Sequence, residues 1–220
     1  MQTTNQPNKV NEQAEQAAAQ KRAQMIKLAK YASIAAVAIV AVILVYVYAV
    51  RNPSIAAGND AIAQADVTML TAQGDSAKMA TALKQYEAVA ASHGYDAGNR
   101  AKLMAAISLY GNGEYEKCIE LLNSFSSTGA VIDAGAKSLE GDCYVNLEKY
   151  DEALDCYEEA ISTCDENPQL MPFFMTKQAH IYHEQKEYAK ELKVYETIKK
   201  EYPRFDGIDR YLERAKNLAK

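Results

Sequence analysis

Residues Ala134–Ala160 read AGAKSLEGDCYVNLEKYDEALDCYEEA. Gly141, Tyr144, Tyr150, Ala153, Tyr157 and Ala160 alternate small and aromatic side chains at spacings that fit two helices folded back on one another. Gly141 and Ala153 have little or no side chain, so the two helices of the hairpin can approach closely. Tyr144 and Tyr157 fill the gaps on either side of that contact, and Ala160 leaves room for the next helix.

The same pattern recurs at a period of about 35 residues, the mark of a repeat array. Upstream, Arg100–Phe125 places Ala106, Leu109, Tyr115, Cys118, Leu122 and Phe125 in register, with Asn112-Gly113 as the turn. Cys118 stands where the first-quoted unit has Ala153, so it reads as a small core side chain. Downstream, Phe173–Pro203 aligns Ala179, Tyr182, Tyr188, Tyr195 and Ile198, and Pro203 ends the second helix. Glu191 stands at the Ala153 position of this unit, a mismatch that suggests a looser hairpin with its helix ends facing solvent. A degenerate unit spans 61–91 through Ala82, Tyr86 and Val89, with its turn at Gln73-Gly74-Asp75 and a link over 94–99. Residues 206–218 put Ile208, Tyr211, Leu212, Ala215 and Leu218 on one stripe, the form of a capping helix. These are tetratricopeptide (TPR) spacings. The expected fold is all-α: a TPR-like α-solenoid of three to four hairpins with a C-terminal cap over 61–220.

Ahead of the repeats, residues 31–50 read YASIAAVAIVAVILVYVYAV, without a charge. Twenty helical residues span roughly 30 Å, the thickness of bilayer hydrocarbon, and Tyr31, Tyr46 and Tyr48 sit at the ends, where amphipathic rings favour the interface. Ser54-Ile55-Ala56-Ala57 offers small residues for a signal cleavage, but the long leader and long apolar run favour an uncleaved anchor. Lys21, Arg22, Lys27 and Lys30 precede the span and Arg51 alone closely follows it, so residues 1–30 are expected in the cytoplasm and the repeats across the membrane. The first twenty residues are polar and expected to be disordered, then helical nearer the span. Residues 51–60 are expected to act as a linker. Ala32, Ala35 and Ala36 permit helix contact in the membrane but are also ordinary membrane filler.

Residues 1–50 carry +3 and the whole chain −5, leaving −8 on the remainder. Such an acidic domain is poorly suited to nucleic-acid phosphates. Cys118, Cys143, Cys156 and Cys164 form no CxxC or zinc spacing. In an exported domain they permit disulfides in three pairings, and a domain of this size also accommodates them as buried thiols.

The concave face of such a stack is lined by the first helix of each hairpin. Repeat register places Arg100, Leu103, Ile107, Tyr110, Ser138, Asp142, Asn146, Thr176, His180 and His183 there, a mixed surface suited to an extended or helical peptide. Leu103 and Ile107 read equally well as core residues. The Lys/Asn/Arg carboxylate clamp of TPR domains that grip acidic C-terminal tails is mostly replaced, by Leu103, Ile107 and Asn146. His180 and His183, with Glu184 and Glu187, have a spacing compatible with metal ligation but lack a third ligand, and His93 reads as a helix-end residue. No nucleophile motif or phosphate-binding glycine loop is present, and Asp151, Glu152, Glu158 and Glu159 read as a solvated face. The sequence therefore assigns no catalytic residue, no metal and no cofactor.

The end of the chain, Tyr195–Pro203 (YETIKKEYP) and Ile208–Lys216 (IDRYLERAK), together with the basic flank and single span, resembles the bacterial YfgM-like family, in its Bacteroidetes-type membrane-anchored TPR form. The likeness covers roughly residues 21–220. It implies a single-pass inner-membrane protein with a periplasmic TPR domain, an ancillary subunit of the SecYEG translocon that works with a periplasmic chaperone on emerging polypeptides. A TPR scaffold for envelope assembly or cell division is the alternative. An organelle import receptor would require the opposite orientation.

Overall fold

A computed structural model describes residues 6–164 and 167–220, with the side chains of residues 6–11 excluded. The chain divides into two units, Met1–Ala56 and Ala57–Lys220.

In the first unit, α1 runs over Gln6–Tyr46 and is followed by a wider, π-type turn at Val47–Arg51. The expectation of an initially disordered tail therefore holds nowhere from Gln6 on, and residues 1–5 lie outside the described residues. The apolar run 31–50 belongs to a helix long and apolar enough to cross a membrane. From residue 12 to residue 46 every side chain is exposed. A helix that is apolar all round and bare of protein packing is the form expected of a lipid-facing span. Residues 51–60, expected as a linker, are helical: α2 (Asn52–Leu70) follows the π-type turn without a break, and Pro53, which has no N–H to give, sits just after that wider turn.

In the second unit the remaining helices are α3 (Ser76–Ser92), α4 (Tyr95–Gly111), α5 (Tyr115–Asn123), α6 (Ala130–Asn146), α7 (Tyr150–Thr163), α8 (Leu170–Glu184), α9 (Tyr188–Glu201) and α10 (Ile208–Leu218). Hairpins α4/α5, α6/α7 and α8/α9 stack in sequence, α3 packs on α4, and α10 covers α9. The α2 residues Ile62 and Ala65 join Ala82, Leu83 and Tyr86 of α3 in one core. Ala106, Leu109, Cys118, Gly141, Ala153, Tyr157, Ala160, Ala179 and Tyr195 are buried; Tyr115, Tyr144, Tyr150, Tyr182 and Tyr188 are half-buried.

The link expected over 94–99 is only His93 and Gly94. Helix α4 starts at Tyr95, and a Cβ on Gly98 would lie 1.8 Å from the His93 carbonyl oxygen. Only glycine lets the first turn of α4 pass so close to the end of α3. Within the hairpins, one turn geometry recurs. Gly113, Glu148 and Lys186 adopt φ of +79°, +59° and +60°. In each case the next residue donates its N–H back to the first helix: Glu114 to Leu109 (2.9 Å), Lys149 to Tyr144 (2.9 Å), Glu187 to Tyr182 (2.8 Å). The capping helix begins after Gly207, which adopts the left-handed conformation.

Glu191 corrects the sequence expectation. It does not face solvent; it is fully buried. Its carboxylate accepts from Arg214 of α10 at 2.8 Å and from His183 Nδ1 at 2.9 Å. The cap supplies the cation that a buried carboxylate needs. All four cysteines are buried.

Candidate functional site

The first helices of the hairpins, α4, α6 and α8, together line a groove with two connected parts. The first, about 490 Å³, is walled by Leu103 and Ile107 of α4, Val131, Ile132 and Leu139 of α6, and Leu170 and Phe173 of α8. Ile107, Val131, Ile132 and Phe173 are each about half exposed. The second part, about 570 Å³, lies toward the C-terminal turns of the same helices and is lined by Tyr110, Asp142, Tyr157, Lys177, His180 and Glu184 among others. Asp142 and Lys177 line both parts.

Repeat register explains the division. Asp142 of α6 accepts from Tyr157 Oη of α7 at 2.6 Å and from Lys177 Nζ of α8 at 2.6 Å. One repeat earlier, the equivalents of Asp142, Tyr157 and Lys177 are Ile107, Leu122 and Leu139. All three polar groups are exchanged for aliphatic ones. The polar arrangement returns at the N-terminal end: Asp66 of α2 accepts from Tyr86 Oη of α3 at 2.8 Å and pairs with Arg100 of α4 at 3.1 Å. So one hairpin in the middle of the stack omits a carboxylate–phenol–cation bridge that its neighbours keep, and there the groove is apolar. Burial, and then the neighbouring carboxylate, holds the Tyr86 and Tyr157 hydroxyls in their protonated, donating form, with pKa raised.

Of the residues expected on the concave face, the structure brings Leu103, Ile107, Tyr110, Asp142 and His180 to the groove, along with Ser138 on its floor. Ser138 and Thr176 are themselves buried; Thr176 donates its hydroxyl to the Pro172 carbonyl at 2.8 Å. Asn146 is exposed at the end of α6 and bonds the Asp142 carbonyl. Arg100 is turned to Asp66. His183 points between α8 and α9 onto Glu191. His180, set against Tyr211 of the cap, has its pKa lowered by burial and then by Arg214, which favours the neutral ring. No group of metal-ligating side chains occurs among the described residues.

The residues missed are those one step along the helices. Leu139 follows Ser138, Lys177 follows Thr176, and Glu184 follows His183. One residue turns the helix by about 100°, enough to move a side chain from the inter-helix seam to the groove. Val131, Ile132 and Phe173 were also missed, although apolar doublets such as Phe173-Phe174 signalled an exposed partner: Phe174 is buried and Phe173 is not.

Comparison with known proteins concerns this repeat region. A family model described as anaphase-promoting complex, cyclosome, subunit 3 matches residues 75–160. A crystal structure of the MamA protein superposes with a TM-score of 0.53 at 17% identity, covering 70% of this chain and 82% of that one. A second MamA crystal structure gives 0.50 at 17% identity, covering 67% and 92%. No curated protein matches the sequence. At such identities the likeness is one of fold, and with the repeat register it identifies residues beyond Ala57 as a TPR-like stack of helix hairpins.

Proposed function

We propose that this chain is a membrane-anchored scaffold that binds segments of other polypeptides in the groove of α4, α6 and α8. The observation that carries the reading is the exchange of a polar bridge, kept by the hairpins on either side, for Ile107, Leu122 and Leu139 in the hairpin between them. Burying an aliphatic patch of this kind against a partner is favourable, and leaving it in water serves no packing role. The fold carries the polar version on both sides, so Ile107→Asp with Leu139→Lys introduces the neighbours' carboxylate and cation there, at the loss of the Leu139 contact with the core. A photo-crosslinker at Val131 or Phe173 in native membranes is expected to capture protein partners, and the double variant is expected to lose them. Capture undiminished by the double variant rejects the groove.

The basic flank before the span, the span itself and the YfgM-like C-terminal segment favour one setting. The repeats lie in the periplasm of a bacterial inner-membrane protein, beside the SecYEG channel and a periplasmic chaperone. Mild-detergent purification followed by partner identification tests this; recovery of cell-wall or outer-membrane assembly factors instead would favour the envelope-scaffold alternative. The native cysteines are too buried to report topology. A cysteine at exposed Glu158 serves instead. In intact spheroplasts an impermeant maleimide is expected to label Glu158→Cys; labelling only after lysis would place the repeats in the cytoplasm.

A further inference from the structure

The charges around the groove are unevenly satisfied. At its centre, Lys177 is closed onto Asp142 and lies over the rings of Phe173 and Tyr157, at 5.2 and 5.5 Å. This cation is already neutralised, so it is not free to receive a carboxylate. At the polar end, Glu184 is exposed and makes no ion pair among the described residues. Beyond the span the chain carries −8, the difference between −5 overall and +3 on residues 1–50. The groove thus combines an uncharged aliphatic wall with a carboxylate at one end, in a negative field.

We propose that the occupant of this groove is an apolar peptide segment with Lys or Arg at the end that lies against the C-terminal turns of α6 and α8. The proposal rests on the groove reading above. Apolar side chains of the segment cover Ile107, Val131, Ile132 and Phe173, and its cation meets Glu184. An acidic flank is disfavoured by the same carboxylate and by the field of the domain. The preference is one of charge sign, so it shrinks as salt is raised.

The test uses the full chain in nanodiscs of neutral phosphatidylcholine and fluorescent Leu/Phe-rich peptides ending in Lys-Lys or in Glu-Glu. Anisotropy at low salt is expected to show the Lys-ended peptide binding roughly fivefold more tightly, the scale of a partly exposed ion pair. Glu184→Lys is expected to remove or reverse that preference. Ile107→Asp/Leu139→Lys is expected to abolish binding of both peptides. Val131→Asp, at an exposed position where folding is indifferent to the change, is expected to weaken both and stands in should the double variant lose helicity. Equal binding of the two peptides, or no response to Glu184→Lys, overturns the charge assignment while leaving the groove reading intact if the groove variants still abolish binding. Failure of both peptides to bind, or binding indifferent to the groove variants, overturns both readings. Self-association of the free protein that Val131→Asp dissolves, with neither peptide bound, assigns the groove to a second copy and overturns the proposal.

Discussion

Three residues in equivalent turns hold a left-handed backbone, and two of them are not glycine. Glu148 and Lys186 carry the strain that Gly113 avoids, because an L-residue in this region brings Cβ toward its own carbonyl. Replacing Glu148 or Lys186 by glycine is expected to raise stability by about 0.5–1 kcal/mol, the strain relieved less the added freedom of the unfolded chain. Urea unfolding of the variants measures this, and a loss of stability would mean the side chains contribute contacts of their own. Glu191 is the opposite case, a residue whose cost is met by partners. The Glu191 carboxylate is fully buried, whereas the Arg214 and His183 side chains keep 43% and 33% exposure, so water can reach them once the carboxylate is gone. Arg214→Ala strands the buried charge and is expected to cost roughly 3–5 kcal/mol in urea unfolding, whereas Glu191→Gln is expected to cost less. Nothing in the local sequence announces this pairing, since Arg214 lies 23 positions away.

At the scale of the element, Gly141 fixes how closely α6 and α7 can pack. A Cβ there would lie 2.6 Å from Cε1 of Tyr157, and that ring is held in place by its hydroxyl bond to Asp142. Gly141→Ala is therefore expected to lose about 1–2 kcal/mol, the overpacking penalty exceeding the gain in helix propensity. Gly135, on the same helix, faces open space, and Gly135→Ala is expected to gain up to about 1 kcal/mol. Thermal unfolding of the pair separates packing from propensity; two stabilising results would mean that Tyr157 yields. This element-level logic was readable beforehand, because small residues opposite aromatics have a geometric meaning in any helix hairpin. The start of α4 was not readable: Tyr95–Asn99 contains three turn-formers, Asp96, Gly98 and Asn99, and only the close approach at Gly98 shows why the segment is helical.

Over the whole molecule, the tyrosines of the second helices make the stack sensitive to alkali. Burial pushes the Tyr195 hydroxyl up to about 12, and burial also raises Tyr86 and Tyr157. A raised phenol binds its proton more tightly in the folded state. Its stabilising contribution is complete below the ordinary phenol value near 10 and is lost as pH rises from there through about 12. The unfolding midpoint is expected to fall across that window, and Tyr195→Phe is expected to flatten the fall; an unchanged slope would assign the loss to other groups. Burial, the first cause, also raises the Cys156 thiol to about 12, so Cys156 is expected to resist a thiol reagent until the protein unfolds.

The sequence alone determined the apolar span, the hairpin period and the small-against-aromatic seams, because each depends on neighbours a few residues away or on an exact repeat. The same register contained the exchange of Asp, Tyr and Lys for Ile107, Leu122 and Leu139, but it became legible only once Asp142, Tyr157 and Lys177 were seen to touch. Which residue of each first helix faces the groove, and how Glu191 is neutralised, were decided by tertiary structure. A rotation of about 100° separates groove from seam, and that phase is set by how successive hairpins pack, which no single hairpin encodes.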